Sequence, residues 1–245
     1  MEDRLYADPR LAEFYDLDNG WSADTLFCRK MAETAGSVLD LGCGTGLLAA
    51  AIADGRDVVG VDPARAMLDI AAARPGGEHC TFVCDDARTV QLGRRFDLIV
   101  MTGHAFQVFL TEADRLAVLT TISAHLDPAG RVIFDSRNPA TREWLEWTPD
   151  QSQRSVDHPR YGQVRAWNDI EFDAEAGTAT YSTFYAIPGG ETLSARSSIA
   201  FPDKAGIARL CEACGLVVER WMGDWSGVPY EPVSPEIIAV GRSVR

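Results

Sequence analysis

The stretch Val38-Leu-Asp-Leu-Gly-Cys-Gly-Thr-Gly46 constrains the fold more than any other part of the chain. Val38, Leu39 and Leu41 form the apolar run of a buried parallel strand. Gly42, Gly44 and Gly46 make a turn in which backbone approaches a ligand closely, since a Cβ there would block it. Leu47 to Ala53 then supplies strong helix formers, so the free N–H groups of a helix start face the turn. A second apolar run, Asp57 to Val61, ends in Asp62, 20 residues beyond Gly42. A carboxylate at that distance takes both hydroxyls of a ribose. Strand, glycine turn, helix, strand and acid together make a nucleoside-binding unit.

Glycine spacing narrows the nucleoside. A dinucleotide fingerprint requires G-x-G-x-x-G, whose third glycine allows close helix packing. Here Leu47 takes that place and the spacing is G-x-G-x-G. Asp40, inside the strand before the turn, repels a pyrophosphate but suits the ammonium of an amino acid, met directly or through water. Both features disfavour a nicotinamide oxidoreductase. The pattern resembles the first motif of class I S-adenosylmethionine-dependent methyltransferases, and four further stretches follow in that family's order. Val58-Val-Gly-Val-Asp-Pro-Ala-Arg-Ala-Met-Leu68 is similar to its ribose strand and following helix. Phe82-Val-Cys-Asp-Asp-Ala87 is similar to its adenine-contacting turn, and Phe96-Asp-Leu-Ile-Val-Met101 to its fourth strand. His125-Leu-Asp-Pro-Ala-Gly-Arg-Val-Ile-Phe134 resembles its L-x-P-G-G segment, with Ala129 where a glycine is usual. The resemblance spans residues 36–136 well and the remainder loosely.

That resemblance implies an α/β fold, a Rossmann-like doubly wound, mostly parallel seven-stranded sheet, here with an antiparallel β-meander insertion forming a lid. It implies S-adenosylmethionine as cofactor, held by Asp40, Gly42, Cys43, Gly44, Gly46, Asp62, Pro63, Met67, Met101, Thr102 and Gly103. Asp86 is expected to accept from the adenine amine beside Ala87, with Asp85 as the rival for that role. Tyr15 or Trp21 is expected as a flap contact.

A net charge of -13 and a pI near 4.7 oppose a nucleic-acid footprint, which needs a basic face. They suit a small-molecule acceptor such as an amine. The 245 residues suffice for one core with an elaboration. No apolar run reaches membrane-spanning length, and Met1-Glu-Asp-Arg has neither the basic nor the apolar region of a signal peptide. The six cysteines do not read as a disulfide framework. Cys211-x-x-Cys214 lies in a helical stretch with no second ligand pair, so core packing outweighs zinc or redox chemistry. The expectation is a cytoplasmic protein with no metal, no nucleic-acid partner and no membrane partner, monomeric or homodimeric.

Four parts follow along the chain. Residues 1–35 read as an N-terminal helical cap carrying Tyr6, Phe14, Tyr15 and Trp21, with helices over 8–15 and 22–35 and with Ser22 and Asp24 as caps. Residues 36–139 alternate strand and helix, the signature of a parallel sheet covered on both faces. Ligands of such sheets collect outside the carboxyl ends of the strands, where Asp40, Asp62, Asp85 or Asp86, Met101 to His104, and Asp135 to Asn138 should converge. Residues 140–201 form the insertion: a polar stretch without sustained periodicity, then three alternating strands starting near Trp167, Thr178 and Leu193. Residues 202–245 supply the last helix, capped at Pro202-Asp203, and two closing strands.

Methyl transfer from a sulfonium needs alignment and exclusion of water more than it needs a base. His104, just past the fourth strand, is the best candidate base. Arg137 and Asn138 either hold a polar or anionic acceptor or form the turn before Pro139. Trp225 is a pocket wall or an edge cover. Trp167 and Tyr181, with Arg165 and Tyr185, are the lid's candidates to face the acceptor, although alternation does not say which face is inward. The function expected is methylation at N or O of a small polar metabolite, an amino sugar or other amine. The alternative is a donor-binding subunit that serves as a partner without catalysis, which a lid with no pocket beneath it would favour.

Overall fold

Four short helices open the chain: α1 (Arg4–Ala7), α2 (Pro9–Ala12), α3 (Tyr15–Asn19) and α4 (Ala23–Ala32). A computed structural model describes residues 3–244; Met1 and Glu2, half of the start discussed above, lie outside the described residues. Strand and helix then alternate through β1 (Ser37–Leu41), α5 (Leu47–Ile52), β2 (Asp57–Asp62), α6 (Arg65–Ala73), β3 (Cys80–Cys84), β4 (Phe96–Met101), α7 (Glu112–His125) and β5 (Leu126–Arg137). An excursion of four strands follows, β6 (Arg154–His158), β7 (Gly162–Asp173), β8 (Thr178–Ala186) and β9 (Thr192–Ala200). The chain closes with α8 (Lys204–Ala213), β10 (Leu216–Met222) and β11 (Glu236–Ser243).

The main sheet runs in the order β10-β11-β5-β4-β1-β2-β3. Its β1–β5 neighbours pair in parallel, while β11 pairs antiparallel with both β5 and β10. This is the doubly wound, mostly parallel sheet that the strand and helix pattern implies. Alternation along β1 divides the core: Val38 packs with Cys28 and Ala32 of α4 and Leu48 and Ile52 of α5. Leu39 and Leu41 pack on the opposite face with Leu119 and Ile122 of α7 and Ile207 of α8. Each of the valine, leucine and isoleucine side chains among these, taken fully out of water, stabilises the fold by about 1.5–3 kcal/mol.

The inserted sheet has four strands in the order β6-β7-β8-β9, not the three that alternation predicts. The additional strand, β6, escapes sequence reading because only Val156 and His158 of Arg-Ser-Val-Asp-His are buried and one of those two is polar. The N-terminal segment also divides in a way its sequence does not reveal. The single helix expected over 8–15 is two, because Asp8 caps α2 by accepting from Arg10 N and the chain turns at Phe14. Leu11 and Phe14 then share a core with Val156, Val164, Tyr185 and Leu193 of the inserted sheet, whereas α4 belongs to the main sheet. No helix among the described residues is long and apolar enough to cross a membrane, and all six cysteines are free.

Candidate functional site

The turn after β1 places Gly42, Gly44 and Gly46 at φ of 75°, 53° and 69°, the left-handed region that a side chain disfavours. The three glycines differ in what surrounds them. A Cβ on Gly46 would lie 2.7 Å from Ala71 Cβ and 3.0 Å from the Phe82 ring, so this glycine lets α6 and β3 close on the turn. A Cβ on Gly44 would meet nothing nearer than Tyr15 Cε1 at 3.8 Å. Asp62, at the end of β2, accepts from Gly44 N and Ala64 N at 2.9 Å each, one bond to each carboxylate oxygen. Both oxygens are thereby oriented, each with a lone pair to spare.

A cavity of about 710 Å³ opens at this end of the sheet and runs beneath the inserted strands, within the size range of small-molecule sites. Gly42, Gly44, Asp62, Pro63 and Met67 line one part of it, and Asp86, Ala87, Met101, Thr102, Gly103 and Tyr15 continue the wall. Cys43, Gly46, Asp85 and Trp21 do not line it. The Cys43 thiol lies against Gly60, Asp85 is exposed and accepts from Asp86 N at 2.7 Å, and Trp21 is 47% exposed. Asp86 itself is engaged by Arg88, with contacts down to 2.6 Å that hold its carboxyl below the usual range. Asp40, two residues before Gly42 on β1, does not line the cavity either. Its carboxyl is buried and accepts no hydrogen bond among the described residues, and burial with the nearby Asp62 pushes its pKa to about 7.

His104 lies at the junction between this wall and the inserted sheet, with a left-handed backbone at φ 61°. Its amide N donates to Asp135 at 3.2 and 3.3 Å. Its ring Nε2 is 3.0 and 3.2 Å from the Glu236 oxygens and 3.4 Å from Asp135 Oδ2. Burial pushes the Asp135 carboxyl up to about 6. Burial lowers the His104 pKa, but Asp135 and Glu236 outweigh burial and the opposing Arg137 and hold it above the ordinary histidine value. Glu236 carries no sequence signal. Only the antiparallel register of β11 on β5, which sets Glu236 opposite Arg137, brings it here.

Of the residues expected at an acceptor, Arg137 and Tyr181 line the cavity and Asn138, Trp167 and Trp225 do not. Asn138 is 2% exposed and its amide is consumed: Nδ2 donates to Pro232 O and Ser234 O, and Oδ1 accepts from Ala140 N. Trp167 points to the outer face, because its neighbours Ala166 and Asn168 point inward; it stacks on Phe184 at 5.1 Å under Arg165. Trp225 meets Phe27 of α4 at 5.8 Å on the far side of the sheet. The residues that do line this part of the cavity are Tyr185, as alternation allows, Tyr6, one of the aromatics of the N-terminal cap, and Trp147, Asn168 and Arg154, which sequence reading does not single out as acceptor contacts. Arg137 is held over the Trp147 ring at 5.1 Å and donates to Gln107 and Glu143.

A methyltransferase-domain family model matches residues 38–130. The cypemycin N-terminal methyltransferase of a Streptomyces species is 31% identical over 206 residues, covering 83% of this chain and 82% of that one. Among solved structures, the CcbJ methyltransferase of Streptomyces caelestis superposes with a TM-score of 0.78 at 21% identity over 98% of both chains. The S-adenosylmethionine-bound amino pentose methyltransferase CalS10 of Micromonospora echinaspora gives 0.69 at 20% identity over 94% of both.

Proposed function

From the premise that this chain belongs to the class I S-adenosylmethionine-dependent methyltransferases, we propose that it methylates the nitrogen of a small polar amine. The cosubstrate supplies an electrophilic sulfonium methyl group when bound. The residues present fit it. Gly44 leaves open the space that a Cβ would fill, and Asp40 keeps a buried carboxyl without a partner, a costly arrangement unless a cation arrives. We assign Asp40 to the donor's ammonium, Asp62 to its ribose hydroxyls, Asp86 and Ala87 to its adenine end, and Met101 to Gly103 to the wall along which it lies. Tyr15 is assigned the flap contact.

The observation that carries the reading is continuity. One cavity joins the glycine turn and Asp62 to His104, Arg137 and Tyr181 beneath the inserted sheet, so donor and acceptor share a space that the sheet shields from water. A donor-binding partner without catalysis has no use for that second half. Residues 140–201 thus serve as lid, and the described part of 1–35 as cap, over a donor-binding core formed by 36–139 and the described part of 202–245. Nitrogen is favoured over oxygen because a basic residue in contact with two carboxylates lies at the junction, suited to accepting a proton from an ammonium. The names of the relatives agree: one acts on an N-terminus, another on an amino pentose. The test is transfer from methyl-labelled S-adenosylmethionine to paired acceptors, amino sugars and short peptides against their N-acetylated counterparts. Label on nitrogen, lost on acetylation, supports the reading; label on oxygen alone refutes it.

A further inference from the structure

His104, Asp135 and Glu236 come from three separate elements and meet at one ring nitrogen. Asp135 is fully buried on β5, and Glu236 is half-buried at the first residue of β11. Both carboxylates approach Nε2, at 3.4 Å and 3.0 Å. Two acceptors at one nitrogen are satisfied only by an N–H there, so the neutral ring keeps its lone pair on Nδ1. No described residue hydrogen-bonds Nδ1, and His104 lines the cavity with its side chain partly exposed. Asp135 also grips the His104 backbone, holding it in the left-handed conformation that a non-glycine residue adopts at a cost of about 1–3 kcal/mol.

Resting on the amine reading above, we propose that Asp135 and Glu236 are positioning residues that fix His104 as the Nε2–H tautomer, leaving Nδ1 as the base that deprotonates an ammonium acceptor. In that step an N–H bond of the ammonium breaks and its electron pair stays on nitrogen, which becomes the nucleophile. The proton forms Nδ1–H, and the imidazolium charge is balanced by the two carboxylates until the proton passes to solvent. The charged groups facing the ring are Asp135 and Arg137 from β5 and Glu236 from β11, with Asp24 of α4 acting on Asp135. The carboxylates prevail over Arg137 and burial, so the ring is a stronger base than a free histidine.

The test is nitrogen NMR of the histidine-labelled protein with S-adenosylhomocysteine bound, titrated through the histidine range, His104→Ala identifying the signal. The neutral ring should show a protonated Nε2 and an unprotonated Nδ1. Glu236→Gln keeps a hydrogen-bond acceptor but loses the charge, so it should preserve the tautomer and weaken the ring's proton affinity by about tenfold or more. Asp135→Asn should act in the same direction and serves as the second variant. An Nδ1–H ring, or a proton affinity unmoved in both variants, overturns the inference; so does a ring whose signals show a divalent cation bound at Nε2 when magnesium or zinc is added. An Nδ1–H ring with transfer to amines intact overturns this inference alone. No transfer to any amine overturns the amine reading and the base's role with it.

Discussion

Asp40 shows how one residue couples proton, ligand and stability. Its folded pKa of about 7 lies above the ordinary 3.8, so the donor-free fold binds this proton more tightly than the unfolded chain does. The contribution is therefore most favourable at low pH, declines as pH rises from 3.8 to about 7 and is level above that. Donor binding runs the other way. The ammonium of S-adenosylmethionine is matched only by the ionised carboxyl, so affinity should weaken as pH falls below about 7, by up to tenfold per pH unit, with a proton released on binding. Calorimetry in buffers of different ionisation enthalpy checks this, and Asp40→Asn should flatten the profile. The glycines give a paired prediction. Gly46→Ala drives a Cβ into Ala71 and Phe82 and should cost about 1–3 kcal/mol of stability. Gly44→Val meets no packed neighbour, so it loses stability through left-handed backbone strain alone, and it should abolish donor binding by filling the space at the turn; thermal melts and donor titration separate the two effects.

Helix α3 ties the two sheets together from opposite ends. Asp16 accepts from Thr45 Oγ1 of the glycine turn at 2.5 Å and pairs with Arg74, while Asp18 accepts from Arg154 Nε at 2.6 Å and Tyr185 Oη at 2.7 Å on the inserted sheet. Asp18→Asn leaves Arg154 and Tyr185 under-compensated, a loss of about 1.5–3 kcal/mol for hydrogen bonds to a charged group. Hydrogen exchange should then quicken in α3 and β6–β8 and stay unchanged in β1 and β4; equal quickening in all six elements would contradict this tie. The legibility of elements follows their physics. β1, β2 and β4 stand out because buried parallel strands are continuous apolar runs, and the glycine turn because its conformation excludes other residues. β6 does not stand out, having too short an inner face, and Glu236 does not because its place depends on the pairing of β11 with β5, far away in the chain. Trp167 and Trp225 mislead for a related reason: aromatic content marks a packed surface without saying which side of the sheet it lies on.

At the scale of the whole molecule, the main sheet lines one half of a cavity at its carboxyl edge, which we assign to the donor, and the inserted sheet closes the other, which we assign to the acceptor; Leu11 and Phe14 of the N-terminal segment share the inserted sheet's core. On the proposed assignment the donor lies with adenosine toward Asp86 and sulfur toward His104. The most direct measurement is a crystal structure of the protein with S-adenosylhomocysteine. It should show the ribose hydroxyls within about 3.2 Å of Asp62, the adenine amine within about 3.5 Å of Asp86, and the sulfur facing His104 and Tyr181 beneath the lid. A ligand lying in the reverse direction, or bound outside this cavity, would contradict the account.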